Sequence, residues 1–328
     1  MHDLYKQSGV DLDKAREVKK KYETIVKSTF NENTISPLGL FGGFYELKDY
    51  KNPIIVSSTD GVGTKMVVSS FLEKHFNLGQ DIVNHCINDV LTSGAKPLFF
   101  LDYIAVDTLV VEQAESLVAG MAESCRDSGC VLIGGETAQL SGVYQKGQFD
   151  IAGFLVGVVE KELLLEPTKV KKDDILIAVP SNGLHTNGYS LVRKVFDIDI
   201  NPGILNTIYD ELGTTLGDVL STPHRSYYPL LESVLSDIVA MAHITGGGLI
   251  ENLMRVIPSG LAVKINYDSW KPEPIFNLIQ SIGNVQKEEM WSVFNMGVGM
   301  VLITDEKKVS DVLNSINGSW VLGKVIDE

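Results

Sequence analysis

The densest chemical signal in the chain is SSTDGVGTK, residues 57–65, where an apolar run delivers Asp60 into a glycine turn followed by Thr64 and Lys65. Gly61 and Gly63 let backbone N–H groups approach phosphate oxygens, Lys65 adds a point charge, and Asp60 is a hard oxygen ligand suited to magnesium. The spacing is neither that of a Walker A loop nor that of a dinucleotide fingerprint. On local chemistry alone, an ordinary Asp-Gly hairpin turn between core strands stays open.

Two further acids sit at comparable places: Asp89 on a helix beside the sheet, and Glu136 in GGET at the end of an apolar strand. Ligands gather outside the carboxyl ends of strands in open α/β sheets, so Asp60, Asp89 and Glu136 are expected to converge on one cation. Asp102, inside the apolar run FFLDY, is either a ligand or a structural hydrogen-bonding group, because a lone buried carboxylate is costly. SNGLHTNGYS, residues 181–190, sets His185 and Asn187 between a strand and a helix. There His185 suits acid, base or phosphate-binding work, while a polar turn with Asn187 as helix cap is the bland alternative. HITGGG, residues 243–248, offers Thr245, Gly246, Gly247 and Gly248 for close backbone approach to an anion. Asn295 in FNMGVGM reads either as a ligand contact or, more simply, as strand-start packing. His2, His75 and His224 show no partner spacing and read as surface or helix histidines; His85, on the helix of Asp89, stays open. Trp270, Trp291 and Trp320 read as core or interface residues.

The elements that must position these groups follow from periodicity. PIIVSSTDG, PLFFLDYIAV, CVLIGGET and FDIAGFLVGVVE read as strands, with helices over residues 11–29, 79–95 and 111–127. In the second of these helices Ile82, Val83, Cys86, Ile87, Val90 and Leu91 share one face, and Asp81, Asn84 and Asn88 point elsewhere. PLGLFGGF, ahead of the first strand, has the glycines of a lid. The stretch KELLLEPTKVKKDD reads as a linker, which divides the chain into domains 1–165 and 166–328. The second half alternates again: DILIAVPS as strand, NGYSLVRKVF and HRSYYPLLESVL as helices, MAHI and GMVLIT as strands. Alternation of this kind in both halves predicts two α/β domains of similar size.

The chain has 328 residues, 44% hydrophobic and 21% charged, which suits an ordered globular protein of two domains. Its formal charge of -14 argues against nucleic acid as a partner, since phosphate backbones are held by clustered Lys and Arg. No run approaches the roughly 20 apolar residues of a membrane span and the N-terminus lacks a signal-peptide core, so no membrane partner and a cytoplasmic location are expected. Cys86, Cys125 and Cys130 have neither zinc-site nor redox-dithiol spacing and read as buried, inert thiols.

Taken in order, SGVD, SSTDGVGTK, NDVLTSGAKPLFFLDY, GCVLIGGETAQL, GLHTNGYSLVRK, AHITGGGLIENL and FNMGVGMV resemble the signature set of the phosphoribosylformylglycinamidine cyclo-ligases over nearly the whole chain. The resemblance implies the two-domain fold of the aminoimidazole ribonucleotide synthetase superfamily, shared with thiamine monophosphate kinase and selenophosphate synthetase. It also implies a homodimer in which the N-terminal domains form a barrel. The activity implied is ATP- and magnesium-dependent ring closure of formylglycinamidine ribonucleotide. Carried onto this chain, the resemblance has Asp60, Asp89 and Glu136 hold Mg2+. Gly61, Gly63, Thr64 and Lys65 would meet ATP phosphates, His185 and Asn187 would face the reacting groups alongside Lys65 and Asp60, and Thr245–Gly248 would take a phosphate. Asn182 and Thr186, where the family favours serine, are small departures at backbone-driven positions. The GGDT expected of thiamine monophosphate kinase is GGET here, and no cysteine precedes Cys86 to serve a selenophosphate synthetase.

Overall fold

The computed structural model describes residues 3–35 and 37–328, so His2 lies outside the described residues. Strands β1 (Pro53–Gly61), β2 (Lys96–Val106), β3 (Val131–Gln139) and β4 (Phe149–Glu160) form one sheet in the order β1-β4-β2-β3. β4 runs antiparallel to both β1 and β2, whereas β2 and β3 are parallel. Helices α1 (Asp3–Gln7), α2 (Leu12–Lys27), α3 (Lys65–Phe71), α4 (His75–Leu91) and α5 (Val111–Asp127) complete this half. α5 is the crossover that a parallel β2–β3 pair requires.

Burial alternates along β1 and β4 because one sheet face lies under α4 and α5. On the other face Ile55, Tyr103 and Phe154 stay exposed. α4 and α5 touch backbone to backbone: a Cβ on Gly79 would lie 2.0 Å from the Leu117 carbonyl oxygen, and one on Gly120 would lie 1.9 Å from that of Phe76. The polar positions of α4 are not solvent-facing. Asp81, Asn84 and Asn88 are buried and grip the segment 222–227 of the other half. Asn84 Nδ2 donates to the His224 carbonyl (2.7 Å), Asn88 Nδ2 to that of Arg225 (2.8 Å), and the amides of His224 and Tyr227 donate to Asp81 (2.6 Å) and Asn88 (2.9 Å).

The second half contains β5 (Ile175–Pro180), the short pair β6 (Ile208–Tyr209) and β7 (Thr214–Thr215), β8 (Ala240–His243), β9 (Leu261–Ile265), β10 (Val298–Thr304) and β11 (Trp320–Asp327). Five of these build an antiparallel sheet in the order β8-β10-β5-β11-β9. Around it lie α6 (Tyr189–Val195), α7 (Leu216–Leu220), α8 (Tyr228–Leu231), α9 (Gly248–Met254), α10 (Pro274–Gly283), α11 (Lys287–Val293) and α12 (Val309–Ser315). The helix expected over HRSYYPLLESVL is shorter than its periodicity suggests. Residues 222–227 form no regular element, α8 starts beside Pro229, and a 3-10 turn follows over Glu232–Asp237. Proline lacks the N–H that would continue a helix into the preceding turn. Cys86, Cys125 and Cys130 are all buried and free. No helix among the described residues is long and apolar enough to cross a membrane.

Candidate active site

A cleft of about 520 Å³ opens where the end of β1 and one face of α4 meet the end of β8 and the C-terminal end of α9. Asp60, His85, Asp89, His243, Thr245 and Arg255 line it. β1 carries Asp60 as its penultimate residue, α4 carries His85 and Asp89 one turn apart, and β8 ends in His243. His85 Nε2 lies 2.8 Å from Asp60 Oδ2, and His243 Nδ1 lies 2.8 Å from Asp89 Oδ1. The far nitrogen of each ring is also held. His85 Nδ1 meets Thr186 Oγ1 at 2.8 Å, and His243 Nε2 meets His224 Nε2 at 3.1 Å. His224 Nδ1 closes the chain on Thr186 Oγ1 at 3.3 Å. His185 stacks on His224 with ring centroids 4.0 Å apart, and its Nδ1 has no partner although the side chain is buried.

The electrostatics follow from this packing. Burial would raise the Asp60 and Asp89 carboxyls, but the hydrogen bonds and charge of His85 and His243 outweigh it and hold both below the usual range. For His85 burial pulls down, and Asp60, Asp89 and Asp81 more than reverse it. His185 and His224, buried among other basic groups, are pushed well below an ordinary imidazole, and His243 is lowered by burial despite Asp89. His185 is held at φ +61, a left-handed backbone that costs a non-glycine residue of order 1–3 kcal/mol.

Several sequence-predicted residues are brought together here: Asp60, Asp89 and Thr245 line the cleft, while His185 lies behind it against His224 and Asn187 beside Gly246. Gly63 lies beside the Thr186 carbonyl, and Thr64 Oγ1 is 3.0 Å from Ser190 Oγ, so the DGVGT turn faces the GLHTNG loop. Asn187 does not cap α6, whose N-cap is Gly188. Its Nδ2 is buried without a partner, and a Cβ on Gly246 would lie 3.3 Å from its Oδ1.

Three expectations need correction. Lys65 does not present its ammonium to the cleft: it is 0% exposed, paired with Asp81 at 2.8 Å and bonded to the Thr222 carbonyl at 2.6 Å. The apolar α3 that it begins packs it inward. Burial draws its pKa down and that of Asp81 up, each opposed by the other's charge. Within one chain Glu136 does not converge with Asp60. β3 and β1 are opposite edges of the sheet, three strand spacings or roughly 14 Å apart. Glu136 also pairs with the exposed Tyr103 on the open face, whereas Asp60 points toward α4. Gly248 serves the turn and its packing, since its amide donates to the Thr245 carbonyl at 3.1 Å and a Cβ there would lie 1.8 Å from the Trp291 carbonyl oxygen.

Asn295 is structural too: it accepts from Ser181 Oγ and the Gly297 amide and donates to the Gly183 carbonyl, tying down the loop that carries His185. Asp102 sits under the helices, where Gly135 leaves it room, and burial raises its carboxyl to about 7. His224, His243 and Arg255 were missed as site residues. His224 has no partner near it in sequence, and only the fold gathers residues 85, 185, 224 and 243.

Comparison with known proteins fits this arrangement. Residues 46–159 match the family described as AIR synthase related protein, N-terminal domain, and residues 171–328 match its C-terminal domain. The phosphoribosylformylglycinamidine cyclo-ligase of Thermoanaerobacter sp. (strain X514) is 46% identical over 328 residues, covering 98% of this chain and 97% of that protein. The protein of the same name from Alkaliphilus oremlandii (strain OhILAs) is 42% identical, covering 100% of this chain and 98% of its own length. In structure, the thiamine-monophosphate kinase of Stenotrophomonas maltophilia K279a superimposes with a TM-score of 0.68 at 13% identity, over 95% of this chain and 93% of that one, which establishes a shared fold. By both domain matches and by near-full-length identity, the chain belongs to the phosphoribosylformylglycinamidine cyclo-ligase family.

Proposed function

We propose that this protein is an ATP-dependent ligase that closes formylglycinamidine ribonucleotide to 5-aminoimidazole ribonucleotide in purine biosynthesis. The observation that carries the reading is the cleft in which Asp60, His85, Asp89, His243 and Thr245 face one another, in a chain 46% identical to a protein of that name. ATP phosphorylates the formyl amide oxygen, and the resulting iminophosphate loses phosphate as an amidine nitrogen attacks the same carbon. Products are the aminoimidazole, ADP and phosphate. An amide oxygen is a poor leaving group, so the protein's task is to position the reactants and stabilise charge on the moving phosphoryl.

Asp60 and Asp89 fit a divalent cation. Their side chains are 37% and 33% exposed in the cleft and offer hard oxygens. Magnesium bound there supplies charge neutralisation for the phosphates. Gly61, Gly63 and Thr64 present backbone and hydroxyl donors to the nucleotide. Thr245 and Gly246 take a phosphate with help from Arg255, a cation on the cleft wall. His185, with Nδ1 unpartnered, and Asn187, with Nδ2 unpartnered, face the reacting groups.

The domains meet near residue 165, the protein is cytoplasmic, and it works as a homodimer through the open face of the first sheet. The exposure of Ile55, Tyr103 and Phe154 supports that last assignment. Sedimentation of an Ile55→Lys variant as monomers would support it, and a wild type that sediments as monomers would refute it. The central experiment is ADP release from ATP and magnesium with and without formylglycinamidine ribonucleotide, following the aminoimidazole alongside. Substrate-dependent ADP with matching product is expected. ADP release indifferent to this substrate overturns the reading.

A further inference from the structure

The loop that carries His185 is gripped from two sides, and only one of the two grips belongs to Asn295. The other is Glu273, between Pro272 and Pro274 at the start of α10. A residue before proline is confined to extended backbone, and Glu273 stands at φ -60, ψ 150 as the N-cap of α10. Its carboxyl makes no bond to the free amides of its own helix. It reaches across to the 181–183 loop instead, where Oε1 lies 3.0 Å from Ser181 Oγ and 3.3 Å from the Gly183 amide nitrogen. Trp270 Nε1 donates to the Met296 carbonyl at 2.8 Å, which holds this run against FNMGVGM. Gly297 makes the room: at φ +91, and with a Cβ that would lie 2.8 Å from Glu273 Oε2, the position suits only glycine.

The protons available to these contacts fix the state of the carboxyl. Two bonds of 2.9 Å orient the Asn295 amide, Nδ2 donating to the Gly183 carbonyl and Oδ1 accepting from the Gly297 amide. Oδ1 is therefore an acceptor toward Ser181 Oγ as well, at 3.2 Å. A serine hydroxyl has a single proton to donate. Were Glu273 a carboxylate, Ser181 would face two acceptors with that one proton, and one oxygen–oxygen contact would have none. A protonated Glu273 removes the conflict: its O–H donates to Ser181 Oγ, Ser181 donates to Asn295, and Oε2 is left as a neutral carbonyl oxygen. Oε2 is buried without a partner, which costs a neutral oxygen far less than an ionised one. Burial pushes the carboxyl up from its usual range, in the same direction.

We propose that Glu273 works as a neutral carboxylic acid and is a positioning residue, whose O–H bond to Ser181, continued to Asn295, sets the loop that presents His185. The inference rests on the reading that His185 faces the reacting groups, and Glu273 acts through the loop. Gly183 at φ +113 and His185 at φ +61 both stand in the left-handed region, so the loop keeps its shape only while both grips hold. Release of one lets His185 slip from its stack on His224. Misalignment of this kind costs turnover and leaves ATP binding, at the separate glycine turn, alone.

The test uses the full chain, the ADP-release assay with formylglycinamidine ribonucleotide, and infrared spectroscopy near neutral pH. Glu273→Ala is expected to lower kcat at least about tenfold, with KM for ATP within about twofold of wild type. Glu273→Gln, a neutral amide whose N–H stands in for the acid O–H, should restore most of that kcat. The wild-type minus Glu273→Gln infrared difference spectrum should contain the C=O stretch of a protonated carboxyl. A Gln variant as damaged as the Ala variant, or a carboxylate stretch in place of the acid one, means an ionised Glu273 and overturns the proposal. If Glu273→Ala fails to fold, the Gln variant and the infrared spectrum still decide. His185→Ala separates this inference from the reading beneath it. A wild-type kcat in that variant removes His185 from the reacting groups and the positioning role with it, whereas a lowered kcat there, beside an unchanged one in Glu273→Ala, refutes the role of Glu273 alone.

Discussion

Helix α4 carries two polar regions that differ in what their groups pair with and in whether they open to solvent. Toward the segment 222–227, Asp81, Asn84 and Asn88 meet Lys65 and four backbone groups, with Asp81 Oδ2 and Asn84 Oδ1 left buried and unpartnered. Toward the cleft, His85 and Asp89 belong to a cluster that leaves His185 Nδ1 and Asn187 Nδ2 buried and unpartnered. Unpartnered buried atoms therefore occur in both regions, and what sets the second apart is that its carboxylates, Asp60 and Asp89, are partly exposed on the wall of an open cleft. The difference separates a region that holds the halves together from one that does chemistry, although both are built from the same residue types on one helix.

The sharpest way to break this comparison is to change one residue in each region. Asp60→Asn is expected to abolish turnover while leaving the melting temperature near wild type; unchanged turnover in the ADP assay would remove Asp60 from the cation site. His185→Ala should lower kcat by about a hundredfold or more. If thermal melting instead shows that the variant merely unfolds, His185 belongs with the structural region.

In that structural region, Lys65→Met leaves Asp81 buried without its cation and should cost about 3–5 kcal/mol in denaturant unfolding. A smaller loss, with a higher KM for ATP, would return Lys65 to the phosphate role that its place after the glycine turn suggests.

The smallest effect expected is on pH dependence. The folded-state values of His185, His224 and His243 are lowered, so their contribution to stability is full above the unfolded value of about 6.5 and is lost as pH falls below it. His85 is raised and opposes them, its contribution being full below that value and lost as pH rises through the folded one. With three groups against one, the melting temperature should drop between about pH 7 and pH 5. His224→Gln should flatten that slope; an equal slope in the variant would assign the loss to other groups.

The strands and the main helices were legible because periodicity reports local burial. β1 and β4 coincide with the apolar runs PIIVSSTDG and FDIAGFLVGVVE. Asp60 and Asp89 were legible as cleft residues because a strand end and a neighbouring helix bring them together over a short stretch of chain. The fate of Lys65 was not, since a lysine after a glycine turn looks the same whether it faces phosphate or a buried aspartate 16 residues later. The position of Glu136 depends on strand order, which puts its strand at the far edge although its motif resembles that of Asp60. His224 and His243 joined the cluster only through the antiparallel second sheet and the proline-bounded segment before α8, and no spacing in the sequence announces either.

The contact between Gly79 and Gly120 reaches well beyond the two helices it joins. α4 behaves as a rigid rod, and at 1.5 Å per residue His85 lies about 9 Å and Asp89 about 15 Å along it from Gly79. Anything that lifts the rod at its fulcrum moves both groups relative to Asp60 and His243, which are anchored on separate strands. An added methyl at either glycine, some 2 Å from a carbonyl oxygen in the facing helix, would therefore act as a shim, misaligning a site that it never touches. These two positions should then drift through evolution as a linked pair, under the selection that governs the active site and not the looser selection that governs a core.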